Sequence, residues 1–333
     1  MDVAHNKCNR LNTVINSSMN LREEIIKYNT RQGNEPVLSS FFSNHLKKLI
    51  EIGAFSIKIK DIQDQLVKDL TEYRTTYNLS NIVLGMSGGI DSALTAALFK
   101  KAGWNVTGLT LPIHQNPEET QRGIDACEAL GITHKQVDLS DAYDDVISHL
   151  HEMPHPNGGD TKAEKVRRGN IRARLRMITL YNEAAKQQGI VGSTDNFSEL
   201  SAGFWTLHGD VGDVAPIQSL SKSWEVPALA DMMGVPQETV YATPTDGLGV
   251  DAGDEAQFGF TYLHFDIVLL GLLNNIFSNE GADEDDVAII ESVKSKIKST
   301  GYKRINPVNL RHPLRGNGLY DALQKLDDNL LGD

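Results

Sequence analysis

Apolar residues in the middle of the chain switch repeatedly between helical and strand-like spacing. Between residues 58 and 77 they recur every three or four positions, at Ile62, Leu66, Leu70 and Tyr73, which predicts a helix. Short apolar runs predict strands at 81–84, 106–111, 133–137 and 189–193. Between these runs, the pattern predicts a helix through 93–98 and another at 118–130 that stops at Gly131. This alternation predicts an α/β fold with a doubly wound, mainly parallel sheet and flanking helices.

The length and composition allow a substantial core, because the 333 residues are 40% hydrophobic and 23% charged. We expect one main domain at 56–307, an N-terminal extension of unknown role at 1–55 and a C-terminal tail at 308–333. Residues 12–55 mix helical patches with a loop and show no evident chemistry. The apolar segment 258–277 predicts either a core helix or part of a subunit interface.

The net charge of −12 argues against a protein that holds nucleic acid mainly by neutralising its phosphates. The two cysteines, Cys8 and Cys127, lie far apart and suggest neither a disulfide framework nor a zinc site. No apolar run approaches the roughly 20 residues of a membrane span, and the polar first ten residues do not resemble a signal peptide. We therefore expect a soluble, cytoplasmic protein.

The most informative segment is residues 84–92, which read LGMSGGIDS between a predicted strand and a predicted helix. Paired glycines allow successive backbone N–H groups to form an anion-binding concavity at the positive end of the helix. The segment lacks the lysine of a Walker A loop and the spaced glycines of a dinucleotide fingerprint. It resembles the SGGxDS loop of the ATP-pyrophosphatase families. The alternative is an ordinary glycine-rich turn.

A second polar stretch follows the last predicted strand, and it offers a hydroxyl and a carboxylate. We expect Thr194 to bond a phosphate and Glu199, together with Asp91, to hold Mg²⁺, which needs only one or two protein carboxylates. The alternative is a helix N-cap with a surface acid.

Upstream of this stretch, residues 167–176 contain five arginines, which indicate either an anionic ligand or a solvated basic face.

The order and spacing of several motifs resemble the small, ammonia-dependent type of the NAD synthase family, over about residues 56–307. The motifs are SGGIDS at 87–92, RGNIRARLRM at 168–177, GSTD at 192–195, GFWT at 203–206, GD at 209–210, TPT at 243–245 and DE at 254–255. The resemblance implies an adenine nucleotide alpha hydrolase-like fold and ATP-dependent amidation of deamido-NAD. In that reaction the nicotinate carboxylate is adenylated, pyrophosphate leaves, and ammonia displaces AMP.

The resemblance also implies roles for individual residues. Asp91 and Lys222 are the expected catalytic residues, and Asp91 and Glu199 the expected Mg²⁺ ligands. The expected ATP contacts are Gly85, Met86, Ser87, Gly88, Gly89, Ile90, Asp91, Ser92, Thr194, Lys222 and Thr245. The expected deamido-NAD contacts are Arg174, Asp213, Asp246, Glu255, Tyr302 and Lys303.

The chain departs from the family pattern near the expected dinucleotide site. Leu207 stands where the family often has lysine, Tyr302 stands where it often has histidine, and the loop at 209–213 is shorter than the common form.

The resemblance implies a homodimer with ATP, deamido-NAD and ammonia as its partners. The first 80 residues are too short for a glutaminase domain, so we expect free ammonia as the nitrogen source unless a separate glutaminase chain supplies it. The alternatives are another SGGxDS-type adenylating amidotransferase and a nucleotide-binding relative without catalysis.

Overall fold

The computed structural model describes residues 20–31, 33–55, 58–150, 161–244, 255 and 258–304. Within these residues, four parallel strands form one sheet in the order β3-β2-β1-β4. The strands are β1 (Asn81–Gly85), β2 (Asn105–Thr110), β3 (Thr133–Gln136) and β4 (Ile190–Val191). The parallel sheet predicted from the sequence is confirmed, with strand ends that shift by one or two residues.

Helices connect and flank the strands. Residues 20–28 form helix α1. The next six are α2 (Ser40–Glu51), α3 (Ile59–Thr76), α4 (Ile90–Lys101), α5 (Pro117–Leu130), α6 (Ser140–His149) and α7 (Lys162–Lys186). They are followed by α8 (Phe197–Ala202), α9 (Glu225–Met232), α10 (Gln237–Val240), α11 (Tyr262–Leu273), α12 (Glu284–Ser299) and a 3-10 turn at Gly301–Lys303.

Helix α5 illustrates how local sequence sets the element bounds. The side chain of Asn116 accepts a hydrogen bond from the backbone N–H of Glu118, and Pro117 occupies the first turn, where its missing N–H costs nothing. At the other end, Gly131 adopts a left-handed backbone with φ 57° and ends the helix. The predicted helix and its predicted stop are both confirmed.

The sheet carries hydrophobic clusters on both faces. In β1 the side chains of Ile82 and Leu84 join the larger cluster, whereas Val83 points to the opposite face and joins a second cluster. Helix α4 packs on the first face, and Leu175 and Leu180 of α7 pack on the second. The sheet is therefore doubly wound, as predicted.

The strand order places the functional loops together. Strand β1 pairs with β2 on one side and with β4 on the other, so the direction of winding reverses between β1 and β4. The loops that follow these two strands leave the same edge of the sheet at this reversal, which is where ligands bind in doubly wound folds. These are the two loops that carry residues 85–92 and 192–196.

Part of the N-terminal extension belongs to the larger core. Phe42, Leu46 and Leu49 of α2 are fully buried in the same cluster as Leu263 and Phe265 of α11. Helix α11 is buried along most of its length within its own chain, which supports the core-helix interpretation of segment 258–277. Across the described ranges, no helix combines the length and apolar character needed to cross a membrane.

Candidate active site

A cavity of about 770 Å³ opens at the edge of the sheet where β1 and β4 end. Every residue of the 85–92 loop lines it, as do Thr194, Glu199 and Lys222 from later parts of the chain. Arg174, Tyr302 and Lys303 also line it. This one cavity is therefore lined by most of the residues that we expected to bind either the nucleotide or the dinucleotide.

The 85–92 loop forms a cradle with internal hydrogen bonds at the N-terminus of α4. The backbone N–H of Gly89 donates to Ser87 Oγ at 3.2 Å, and the Ser92 hydroxyl donates to the Gly89 carbonyl at 2.9 Å. Gly88 has a φ of +84°, and a Cβ added there would lie 2.2 Å from the backbone carbonyl oxygen of Glu119. Only glycine fits this position, and the loop presents its N–H groups with the positive end of the helix dipole.

Two carboxylates and one ammonium meet beside this cradle. Lys222 Nζ donates to Asp91 Oδ2 and lies 3.4 Å from Glu199 Oε1. The Lys222 side chain is only 8% exposed, and the two carboxylate side chains are 15% and 14% exposed. Since the ammonium is a cation held between two acids, the carboxylates converge on a point that already suits a positive charge.

Asn196 holds the two carboxylates in place. Its Nδ2 donates to Asp91 Oδ1 at 3.0 Å, and its Oδ1 accepts from the backbone N–H of Glu199 at 3.0 Å. The Glu199 carboxylate returns toward the Asn196 N–H at 3.5 Å, which completes a capping box at the start of α8. The N-cap interpretation of this stretch is therefore correct, and the same cap points Glu199 toward Lys222.

A buried aspartate supports the backbone of Lys222. The Lys222 N–H donates to Ser198 Oγ at 3.0 Å, and the Ser198 hydroxyl donates to Asp266 Oδ1. Asp266 Oδ2 accepts from the Ser223 N–H at 2.9 Å. Asp266 is fully buried, and the loss of hydration raises its pKa to about 6, although these hydrogen bonds and Lys222 oppose the rise.

The donor set suits Mg²⁺ rather than a transition metal. In the part of the chain that the structure describes, no three His, Cys, Asp or Glu side chains cluster as a metal site. Mg²⁺ takes one or two protein carboxylates and completes its shell with water and phosphate oxygens. Asp91 and Glu199 therefore fit the ion next to a loop shaped for phosphate.

A further part of the cavity wall carries cations and acids on the segments 195–210 and 301–304. Lys303 Nζ donates to the carbonyl oxygens of Gly203 and Trp205 and lies 5.0 Å from the centre of the Trp205 ring. Burial lowers the pKa of Lys303, and the carboxylates of Asp210 and Asp195 oppose this effect. This wall combines an aromatic ring with opposite charges.

Two of these acids bind protons more tightly than usual. Burial raises the pKa of Asp195, although the Ser193 hydroxyl donates to its carboxylate at 2.7 Å. Desolvation by the surrounding protein atoms raises the pKa of Asp210, and the negative charge of Asp195 adds to this effect. The residue is still exposed on the cavity side. Asp210 also accepts from the Thr206 N–H at 2.8 Å. The sequence motifs GSTD and GD contain these residues without indicating a function for them.

Not all of the expected dinucleotide contacts face the cavity. Asp213 accepts from the Tyr181 hydroxyl and from the Val191 N–H, both at 2.8 Å, and it is absent from the cavity wall. Its carboxylate is directed to the end of β4. Arg174 does reach the wall, where it donates to the Leu207 carbonyl at 3.2 Å.

The remaining expected contacts have three different outcomes. Tyr302 lines the cavity and is 68% exposed, whereas Glu255 Oε1 accepts from the Tyr262 N–H at 2.9 Å and is not part of the wall. Thr245 and Asp246 lie outside the described residues.

The structure adds wall residues that the sequence pattern did not indicate. Arg122 of α5 contributes its guanidinium, whose Nε lies 3.5 Å from the Gly88 carbonyl. Tyr28 and Arg31 reach the wall from the N-terminal extension, where the sequence showed no evident chemistry. Their distance along the chain from every other wall residue explains why local pattern gave no signal.

Comparison with known proteins identifies what the chain resembles. The family model described as NAD synthase matches residues 62–307. The NH(3)-dependent NAD(+) synthetase of Alkaliphilus oremlandii is 35% identical over 247 residues, which cover 73% of this chain and 94% of the relative.

Solved structures agree with this comparison. The NMN synthetase of Francisella tularensis superposes with a TM-score of 0.66 at 28% identity, covering 77% of this chain and 100% of that protein. The NH3-dependent NAD synthetase of Campylobacter jejuni, solved with nitrate, gives 0.62 at 27% identity over the same shares. These neighbours confirm the expected adenine nucleotide alpha hydrolase-like fold.

Proposed function

Because the NAD synthase model matches residues 62–307, the chain belongs to the NAD synthase family, and we propose that it converts deamido-NAD to NAD. It is a ligase that forms a carbon–nitrogen bond from a carboxylate and ammonia at the expense of ATP. Relatives named as NH(3)-dependent NAD(+) synthetases support this activity.

One observation carries the proposal: Asp91, Glu199 and Lys222 converge beside the glycine cradle at the point where the sheet winding reverses. The cradle provides N–H donors for a pyrophosphate, and Lys222 provides a positive charge next to it. Since no covalent protein intermediate is required, positioning and charge stabilisation are sufficient for the adenylation step.

The proposed reaction has two steps, adenylation of the carboxylate and its amidation. In the first, a carboxylate oxygen of the nicotinate attacks the α-phosphorus of ATP, and the bond from this phosphorus to the pyrophosphate oxygen breaks. In the second, ammonia attacks the acyl carbon, AMP leaves with the former carboxylate oxygen, and a proton passes from nitrogen to a base. The loop N–H groups of 85–92 and Lys222 stabilise the charge that develops on pyrophosphate.

Asp91 and Glu199 are the residues that would hold Mg²⁺, and both already surround a cation in the structure. An ion held there would supply positive charge next to the phosphate oxygens. Thr194 and Thr245 remain our proposed contacts to ATP.

Arg174, Tyr302 and Lys303 are our proposed contacts to deamido-NAD, and Asp213, Asp246 and Glu255 stay predictions for the same ligand. We also propose that the enzyme is a cytoplasmic homodimer that uses free ammonia.

A second substrate, deamido-NMN, must be compared directly. Leu207 lines the cavity where the family often has a charged lysine, and one structural neighbour is named as an NMN synthetase. A leucine in place of that lysine offers one charged contact fewer to a dinucleotide.

The test incubates the protein with ATP, Mg²⁺ and either deamido-NAD or deamido-NMN, with ammonium or glutamine as nitrogen source. Carboxylate-labelled ¹⁸O substrate is used, and the amide product, AMP and pyrophosphate are followed by mass spectrometry. We expect NAD with ammonium, one ¹⁸O atom in AMP, and a higher kcat/KM for deamido-NAD. Lys222→Met should lower the rate of AMP formation, and Lys101→Met, which replaces an exposed lysine at the far end of α4, is its control.

Each other outcome changes the conclusion. A preference for deamido-NMN would refute deamido-NAD as the substrate. Turnover only with glutamine would refute free ammonia as the nitrogen source. ADP in place of AMP overturns adenylation. ATP binding without any amide product identifies a nucleotide-binding relative and refutes the enzyme proposal.

A further inference from the structure

The N-terminal extension reaches the cavity at one charged residue. Arg31 and Tyr28 line the same cavity as Asp91 and Lys222, yet both lie outside residues 62–307 that match the family model. We propose that Arg31 binds the phosphate groups of ATP, so that the extension completes the nucleotide site. This inference rests on the proposed use of ATP.

The backbone around Arg31 is held in a defined position. The N–H of Arg31 donates to the Asn34 carbonyl and the N–H of Asn34 donates to the Arg31 carbonyl, both at 2.9 Å. This reciprocal pair closes a tight turn directly after α1. The side chain of Arg31 therefore projects from a hydrogen-bonded turn.

A buried amide connects this turn to the catalytic segment. Asn29 Nδ2 donates to the Ile25 carbonyl at 2.7 Å and to the Ser223 carbonyl at 2.8 Å. Asn29 is 5% exposed, and Ser223 directly follows Lys222. The extension is thereby attached to the backbone that carries the ammonium of the proposed phosphate site.

An aromatic contact packs the end of α1 against a second segment that leads to the cavity wall. The Tyr28 ring stacks on Tyr241 with ring centres 6.0 Å apart and an interplanar angle of 17°. The Tyr28 hydroxyl donates to Asp231 Oδ2 at 2.8 Å. Tyr241 precedes Thr243 and Pro244, which line the cavity. The end of α1, three residues before Arg31, is therefore packed against the segment that enters the cavity wall at Thr243 and Pro244.

The guanidinium retains capacity for an anionic ligand. Its Nη1 donates to the carbonyls of Tyr28 and Thr30 at 2.7 and 3.3 Å, whereas its Nε is buried and has no hydrogen-bond partner among the described residues. Burial lowers the pKa of Arg31, and the negative charge of Glu255 opposes this effect. Because Nε is buried, a ligand in the cavity would meet the guanidinium at its Nη groups, and this planar, charged end suits a phosphate.

The test compares Arg31→Met and Arg31→Lys with the matched control Arg22→Met, which removes an exposed arginine from α1. Calorimetric titration of the full chain in Mg²⁺ measures the Kd values of ATP, pyrophosphate and adenosine. For Arg31→Met we expect binding of ATP and pyrophosphate to weaken roughly 10- to 100-fold, the range of a hydrogen bond to a charged group. Adenosine binding should stay unchanged, and Arg31→Lys should recover part of the loss.

In steady-state assays, Arg31→Met should raise the KM for ATP while the KM for deamido-NAD remains within about twofold, as expected when only ATP binding is weakened. Thermal unfolding of each variant verifies that the fold is retained. If Arg31 has only a structural role, such as balancing the charge of Glu255, its replacement would weaken the binding of adenosine and ATP equally. Alternatively, it would lower the thermal stability without a selective effect on the binding of phosphate-containing ligands.

If Arg31→Met weakens adenosine binding as much as ATP binding, or leaves pyrophosphate binding unchanged, the inference is overturned. Failure of the proposed function is distinguishable from this result, because the titrations need no turnover. A chain that binds ATP through Arg31 without making NAD would refute the enzyme proposal alone.

Discussion

Replacing Lys222 by methionine tests the central arrangement of the site. The substitution keeps most of the side-chain volume and leaves Asp91 and Glu199 facing each other without the ammonium between them. We expect two separate effects, a lower free energy of unfolding in the absence of Mg²⁺ and a lower kcat in its presence.

The structure sets the size of both effects. Breaking a fully buried ion pair costs about 3–5 kcal/mol, but the two carboxylate side chains keep 15% and 14% exposure, so water compensates part of the loss. We therefore expect a loss of about 2 kcal/mol in the free energy of unfolding. Removing one group that stabilises transition-state charge lowers kcat by roughly 100- to 1,000-fold.

Urea unfolding with and without MgCl₂ measures the first effect, and initial rates of AMP formation at saturating ATP measure the second. Mg²⁺ should stabilise the Lys222→Met variant more than the wild type, because it replaces the missing positive charge between Asp91 and Glu199. Lys101→Met should match the wild type in both assays. Unchanged kcat, or a stability loss that Mg²⁺ does not reduce, would refute the assignment.

Two further predictions concern the cradle and the buried acid. Gly88→Ala combines a φ of +84° with a Cβ 2.2 Å from the Glu119 carbonyl, so the loop must move; we expect ATP binding in titration to weaken at least tenfold while the circular dichroism spectrum is retained. Asp266 has its pKa raised from 3.8 to about 6. Its contribution to stability is therefore complete below about pH 4 and is lost as pH rises through about 6, a change of about 3 kcal/mol. Relative to wild type, Asp266→Asn should become more stable between pH 4 and 7 in urea unfolding; an unchanged difference between the two proteins would contradict the raised pKa.

Local sequence was sufficient for the elements and for the phosphate loop. Helices end where Gly131 adopts a left-handed backbone and begin where Asn116 caps the first turn, and both signals act within a few residues. The 85–92 cradle is equally local, because one segment supplies its strand end, its glycines and its helix N-terminus. Such features can be predicted from the sequence because they depend on interactions between residues a few positions apart.

The placement of side chains around the cradle depended on the tertiary structure. Lys222 reaches Asp91 across 131 positions of sequence, and only the packing of its backbone on Ser198 and Asp266 brings it there. The resemblance to a family indicated these residues but not their geometry. Asp213, which stays a prediction for the dinucleotide, accepts hydrogen bonds at the end of β4, and the sequence did not indicate these bonds.

The sequence by itself determined the α/β alternation, the phosphate loop and the family of the chain, because each is written in contiguous residues or in their order. Only the tertiary structure decided that the extension contributes Arg31 to the cavity wall. No periodicity connects residue 31 with residue 222, and the extension reaches the cavity because Asn29 and Tyr28 form hydrogen bonds with Ser223 and Asp231 of the folded chain.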